Sequence, residues 1–249
     1  MIRRLLTPRW VLTTLLVIAA VGVLIRLGIW QLDRLEWRRA FNTRVLAQID
    51  QPALDLNGAF DPAALYDMEY RQAVVTGEYD FSQQVLLRNQ EWENQPGYHL
   101  LTPLRIAGRD DAVLVDRGWI PLTAADDLSP YDAPGVVSVR GQLRRPQTKP
   151  DFGGIPDPTL TPGETRLSAW NIVNVERLQG QMPYPLLPAY LQQAPDPNRT
   201  APPYPSLTEP EITEDSHASY ALQWFSFAAI LALGYPFYVK RQIWNMDSV

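Results

Sequence analysis

The stretch SHASYALQWFSFAAILALGYPFYVKR, Ser216–Arg241, decides the fold. It opens on a histidine, runs apolar from about Ala218 to Val239, and ends on the basic pair Lys240–Arg241. At ~1.5 Å per helical residue the apolar run reaches roughly 33 Å, enough for the hydrocarbon core of a bilayer. An earlier segment, VLTTLLVIAAVGVLIRLGI (Val11–Ile29), reaches roughly 28 Å by the same rise. A cleaved signal peptide is the competing reading of that first run. Such a peptide has an apolar stretch of only about 7–15 residues and a small-x-small cleavage site. Here the run is longer and is followed by RLGIWQLDRL, with no such site, which favours an uncleaved anchor.

The flanks give an orientation. Arg3, Arg4 and Arg9 precede the first run, and Lys240 and Arg241 follow the second, so both termini are expected on the cytoplasmic side. Arg34, Arg38 and Arg39 argue the other way, but Asp33 and Glu36 are mixed among them, and long domains cross largely regardless of charge. The expected plan is a membrane α+β protein. A transmembrane helix at 11–30 and another at 217–239 flank one extracytoplasmic, antiparallel β-rich domain at 31–216, shaped as a small barrel or sandwich. Gln31 to Ser216 holds 16 Lys and Arg against 26 Asp and Glu, a net of −10. That acidity argues against nucleic acid as a partner and leaves membrane lipid and protein. The short tails argue against a signalling receptor. With no Arg- and Ser-rich transit segment ahead of the first run, a bacterial cytoplasmic membrane is the expected location.

After the first run, QLDRLEWRRAFNTRVLAQID keeps helical spacing at Leu32, Leu35, Val45, Leu46 and Ile49, so the helix should continue for several turns. DQPALDLNGAFDP then breaks it. Five short β-branched or aromatic runs read as strands: Arg71–Asp80, Gln84–Gln90, Gly97–Ile106, Ala112–Ile120 and Val136–Arg144. Gly77, Pro96–Gly97, Gly108, Asp110–Asp111 and Pro134–Gly135 are the expected turns. Pro146–Gly163 is irregular, and Ala169–Met182 reads as a short strand leading into a helix. YPLLPAYLQQ is a last strand whose prolines suggest an edge position. Pro195–Pro210 reads as an extended connector.

Few residues carry chemistry. There is no cysteine, so disulfides and thiolate sites are excluded, and two histidines, His99 and His217, exclude a multi-histidine metal cage. No nucleophile–base pair, P-loop or dinucleotide fingerprint is present, and no enzymatic activity is expected. In VLVDRGWIP (Val113–Pro121), Asp116 and Arg117 suit an ion pair at a strand end and Trp119 an inward position. His99 reads as half-buried structure or surface. His217 differs by its address. With a helix starting at Ser216, His217, Tyr220, Ala221, Trp224 and Ala228 share one face. One imidazole, two aromatic plates and two small residues are the parts a haem needs; an interfacial histidine beside an ordinary aromatic belt is the alternative. Arg26, near the far end of the first run, would lie at about the depth of His217 if the helices pair antiparallel. It would either snorkel to the interface or pair with an anionic group.

Several blocks, in order, resemble the surfeit locus protein 1 family of cytochrome c oxidase assembly factors. They are RLGIWQLDRLEWR (with Gly28, Trp30, Gln31, Arg34 and Trp37), PGYHLLTPLR, VLVDRGWIP, GQLRRP and HASYALQWFSFA. This chain departs from the common pattern at Ser216, Ala218, Gln223 and Asn174. The resemblance implies a multi-pass membrane protein that helps assemble the haem-copper catalytic subunit and binds haem a. By that resemblance the iron ligand is His217, with Trp224 one helical stripe further on. Tyr220 would flank the ring, and Arg26 or Arg34 would neutralise propionates. The alternative within the same setting is a haem-free scaffold or accessory subunit of the oxidase.

Overall fold

The computed structural model describes residues 7–247; the flanking Arg3 and Arg4 lie outside them. The chain forms two compact units. One takes in the described residues up to Thr43 together with those from Glu211 onward, and the other is Arg44–Pro210.

The first unit is a pair of long helices, α1 (Pro8–Ile49) and, at the end of the chain, α3 (His217–Asp247). Both are long and apolar enough to cross a membrane, and only 6% of the most apolar window of each is buried. That exposure separates them from the core helices of a water-soluble domain. On α1 the shielded positions include Trp10, Thr14, Val17, Val21, Leu24, Gly28, Gln31, Leu35 and Arg38, alternately four and three apart. On α3 they include His217, Ala221, Trp224, Ala228, Leu231 and Tyr235, in the same alternation. A 3.5-residue repeat is the pattern that keeps one seam of each helix on its partner. The pairing is antiparallel. The Tyr235 hydroxyl meets Thr14 Oγ1 at 2.7 Å, the Trp10 and Tyr238 rings stand 6.4 Å apart, and Phe225 packs on Gly28. A Cβ at Gly28 would lie 2.6 Å from the Phe225 ring, so the close approach depends on the missing side chain.

The second unit carries eight strands: β1 (Leu54–Asp55), β2 (Gln72–Tyr79), β3 (Val85–Trp92), β4 (Gln95–Ile106), β5 (Ala112–Pro121), β6 (Val136–Arg144), β7 (Ala169–Trp170) and β8 (Leu186–Gln193). A five-residue helix, α2 (Val175–Gln179), follows β7 and is capped by the Asn174 side chain. Five strands close a ring in the order β2–β6–β8–β5–β4, with β4 returning to β2. The ring's interior is packed with Val75, Leu104, Val113, Val115, Leu143 and Leu191, among others. β3 and β7 extend the sheet beyond β4 over a second apolar cluster built on Val85, Leu101, Trp170 and Leu178.

Four expectations change here. The sheet is not wholly antiparallel: β8 runs parallel to β5. Strand direction cannot alternate all the way around an odd-membered ring, so a closed five-strand barrel must contain at least one parallel pair. Nor is β8 an edge, since it lies between β5 and β6. Its Pro188 falls where the β5 register jumps from Leu186 to Tyr190, and the β6 ladder starts only at Tyr190, so neither neighbour asks for its missing N–H. Finally, the turn before β4 is Glu93–Asn94, both at positive φ (49° and 62°), rather than Pro96–Gly97. That is the two-residue hairpin geometry whose twist suits paired strands. Gly77 is likewise no turn. It sits in β2 where β4 closes the barrel, and a Cβ there would meet the Arg105 carbonyl at 2.0 Å.

Candidate functional site

His217 is the first residue of α3 and lies on its seam. Its Nδ1 is 2.7 Å from Gln31 Oε1. An amide oxygen only accepts, so Nδ1 is the donor in this contact and Nε2 is the nitrogen left for another partner. Asp215 Oδ2 stands 3.6 Å from Nε2, and the side chains of His217 and Asp215 keep 18% and 36% of their surface. Asp215 also pairs with Arg38 Nε at 3.3 Å, and Arg38 reaches Glu211 at 3.4 Å. Arg39 pairs with Glu214 at 2.9 Å, and Asn42 donates to the Thr213 carbonyl. The Arg39 charge and hydrogen bond hold the Glu214 carboxyl below its ordinary value. A polar lattice thus ties the segment entering α3 to the matching turns of α1. What it offers chemically is one imidazole, oriented by an amide on one nitrogen and partly open on the other. A metal-binding histidine is held in the same way, with its second nitrogen donated to a fixed acceptor.

The other expected site residues are placed differently. Trp224 is on the seam two turns along α3, set edge-on to Phe227 at 6.2 Å and 79°. Tyr220 and Arg26 are exposed. The residue level with His217 is Gln31 rather than Arg26, because Gly28 on Phe225 sets the register. Arg26 lies five residues earlier, roughly 7.5 Å along the axis and about 140° round the helix from Gln31. Arg34 stacks over Trp37 at 4.9 Å. Gln31 and Asp215 carry the geometry, and of these Gln31 had a readable signal: an uncharged polar residue between Gly28 and Leu35 in a largely apolar heptad stripe.

The β-unit holds a second polar group. His99 is buried, not half-exposed, and its Nδ1 meets Asp116 Oδ2 at 2.9 Å. The other Asp116 oxygen accepts from the Gly118 amide at 3.0 Å. Arg117 therefore does not pair with Asp116. The β4–β5 register slips between His99↔Trp119 and Leu101↔Asp116, leaving a bulge on β5 at Arg117–Gly118. Gly118 takes φ +106°, and a Cβ there would strike the Tyr204 carbonyl at 2.3 Å, where the connector lies antiparallel along Trp119. The bulge turns Arg117 onto the Tyr79 and Phe81 rings, 4.7 and 5.3 Å from its guanidinium carbon. Its guanidinium donates to Gln84 Oε1 at 3.1 Å and to the Tyr131 carbonyl. Burial pushes Arg117 below its ordinary value, Tyr79 and Asp132 oppose the fall, and Arg199 adds to it. Burial also pushes the Tyr79 phenol up to about 12, against the pull of Arg117 and Arg199.

Comparison with known proteins accords with this architecture. A family model described as the SURF1 family matches residues 18–229, from the first apolar helix into the second. The chain belongs to the SURF1 family. An uncharacterised SURF1-like protein of Mycobacterium tuberculosis is 26% identical over 243 residues, covering 96% of this chain and 86% of that protein. A SURF1-like protein of Rickettsia bellii is 24% identical over 241 residues, covering 93% and 92%. The cytochrome oxidase assembly protein SHY1 of Saccharomyces cerevisiae is 29% identical over 94 residues, covering 38% of this chain and 24% of that protein.

Proposed function

We propose that this protein is a non-enzymatic assembly factor of cytochrome c oxidase that holds haem a, through His217, for insertion into the catalytic subunit. The oxidase role is supported by family membership and by the name of the yeast relative. The haem role rests on one observation: the 2.7 Å Nδ1–Gln31 contact that commits Nδ1 and leaves the partly open Nε2 as the nitrogen a metal could take. Haem a would supply an iron for the His217 imidazole to ligate and an apolar tail. Trp224 on the seam and Tyr220 beside it would border the macrocycle, and the exposed apolar faces of α1 and α3 would take the tail. Arg26 or Arg34, both exposed on α1 and lying on either side of Gln31 in sequence, would serve as a propionate partner. A single axial imidazole suits a carrier that must release what it holds.

In the same reading both helices span the bacterial cytoplasmic membrane, with both termini cytoplasmic and the β-unit outside. α1, at about 63 Å, is roughly twice the length needed to cross, so its C-terminal turns stand clear of the lipid. The β-unit would dock the oxidase subunit, and its fully exposed Phe152, with Ile155 and Leu160 in the same irregular loop, is an apolar surface suited to a protein partner. The test is a visible spectrum of the protein purified from cells that make haem a. A Soret band that disappears in His217→Ala is expected; a band untouched by that change, or none at all, overturns the haem role.

The second reading is a haem-free scaffold or accessory subunit. It is favoured by Asp215, which can hold His217 Nε2 as the counter-ion of an imidazolium. Stoichiometric recovery with mature oxidase, and a colourless isolated protein, would support it.

A further inference from the structure

One mouth of the barrel, where β2 and β8 run out and β6 begins, opens into a cavity of about 320 Å³. Arg117 and Arg199 both line it, with Tyr79, Asp132, Ser138 and Gln193 among its walls. Arg117 is 5% exposed. Among the described residues no carboxylate stands within 4.0 Å of either guanidinium, whereas Arg109 has Asp111, Arg144 and Arg145 have Glu69, and Arg177 has Asp157. Taking a charge out of water without a counter-ion is costly, and the Tyr79 and Phe81 faces offset only part of that cost. Two of the five Arg117 donors go to Gln84 and Tyr131, which leaves others for a ligand. The β5 bulge and Gly118 put the side chain there, an irregularity of the kind that re-aims one side chain rather than stabilising a ladder.

We propose that this mouth is a binding site for a monoanionic carboxylate, gripped by the Arg117 and Arg199 guanidinium groups. Two arginines and Asp132 give the walls a net charge of +1, which one carboxylate neutralises. A doubly charged phosphate would set its second charge against Asp132. The cavity shares Arg199 and Pro202 with a second hollow of about 560 Å³ lined by Trp92, Trp119 and Tyr204. The Tyr204 ring is stacked between Trp92 (5.3 Å, 20°) and Trp119 (6.3 Å, 13°). The ligand is therefore a carboxylic acid with a planar or apolar body: the charge enters beside Arg117, and the body lies towards the aromatic stack.

Calorimetric titration of the full-length protein in detergent with benzoate, benzamide and inorganic phosphate tests this. Benzoate should bind saturably, with benzamide and phosphate each at least tenfold weaker. Arg199→Gln, in the exposed connector, should weaken benzoate at least tenfold without shifting the melting temperature. Arg117→Gln should do the same but also disturbs the Tyr131 contact, so Arg199→Gln is decisive. Asp132→Asn should tighten phosphate severalfold. No saturable benzoate binding, benzoate affinity unchanged in Arg199→Gln, or phosphate preferred by the unaltered protein would each overturn the proposal. None of these readings depends on haem.

Discussion

The two histidines make a controlled comparison. Each uses Nδ1 in one short polar contact, His99 to Asp116 at 2.9 Å and His217 to Gln31 at 2.7 Å. In the barrel both partners are sealed, with 7% and 5% of their side chains exposed. The Asp116 carboxylate is further used by the Gly118 amide, so the pair fixes the bulge and is spent on structure. In the helix pair the partner is a neutral amide, and the imidazole stands at a helix start with its other nitrogen partly open. What separates a structural imidazole from an available one is therefore the identity of its Nδ1 partner and the exposure of Nε2.

The largest expected effect breaks the barrel side. Asp116→Ala leaves His99 and the Gly118 amide without a partner inside the protein and should cost about 3 kcal/mol or more of β-unit stability, read from denaturant unfolding. His217→Ala should leave the same transition within about 0.5 kcal/mol while changing any pigment. Equal destabilisation by both would erase the distinction. Next comes alkaline stability. The folded Tyr79 phenol is raised from 10.0 to about 12, so its contribution is whole below pH 10 and is lost as pH climbs through 12. The full shift corresponds to about 2–3 kcal/mol, and Tyr79→Phe should flatten that part of the stability–pH curve. On the helix side, Gln31→Leu frees Nδ1 and should weaken haem binding by ~10–100-fold without unfolding the pair, measured by Soret titration. An unchanged affinity would show that Gln31 does not orient the ring. The smallest effect is Arg39→Ala: its pair with Glu214 is solvent-exposed, with 59% and 51% of the two side chains accessible, and the melting temperature should not move.

Much of the fold was legible because its signals are local. The strands β2 to β6 follow the β-branched runs, and α1 continues past the apolar segment as Leu35 and Val45 required. The errors share a cause. Pro188 points to an edge strand because a central strand needs its N–H groups, and that rule fails where a bulge removes the need. Pro96–Gly97 drew the turn away from Glu93–Asn94, whose left-handed backbone carries no glycine to announce it. Asp116 and Arg117, adjacent in sequence, suit an ion pair, but the register slip that separates them depends on β4, a distant partner. His217 could be singled out by position, but Gln31 opposite it depends on a helix register fixed by contacts between the two helices, such as Phe225 on Gly28 and Tyr235 on Thr14.

The odd-membered ring has a consequence for synthesis. β2, β4, β5 and β6 are all made before β8, yet β8 is the stave that joins β6 to β5. Until residue 193 has left the ribosome the barrel is a gapped sheet with two raw edges, and the late stave must slot in rather than add on. The second apolar helix follows next in the chain, so closure of the barrel and synthesis of that helix fall within one short interval of translation. A delay in either leaves unpaired strand edges exposed to neighbouring chains.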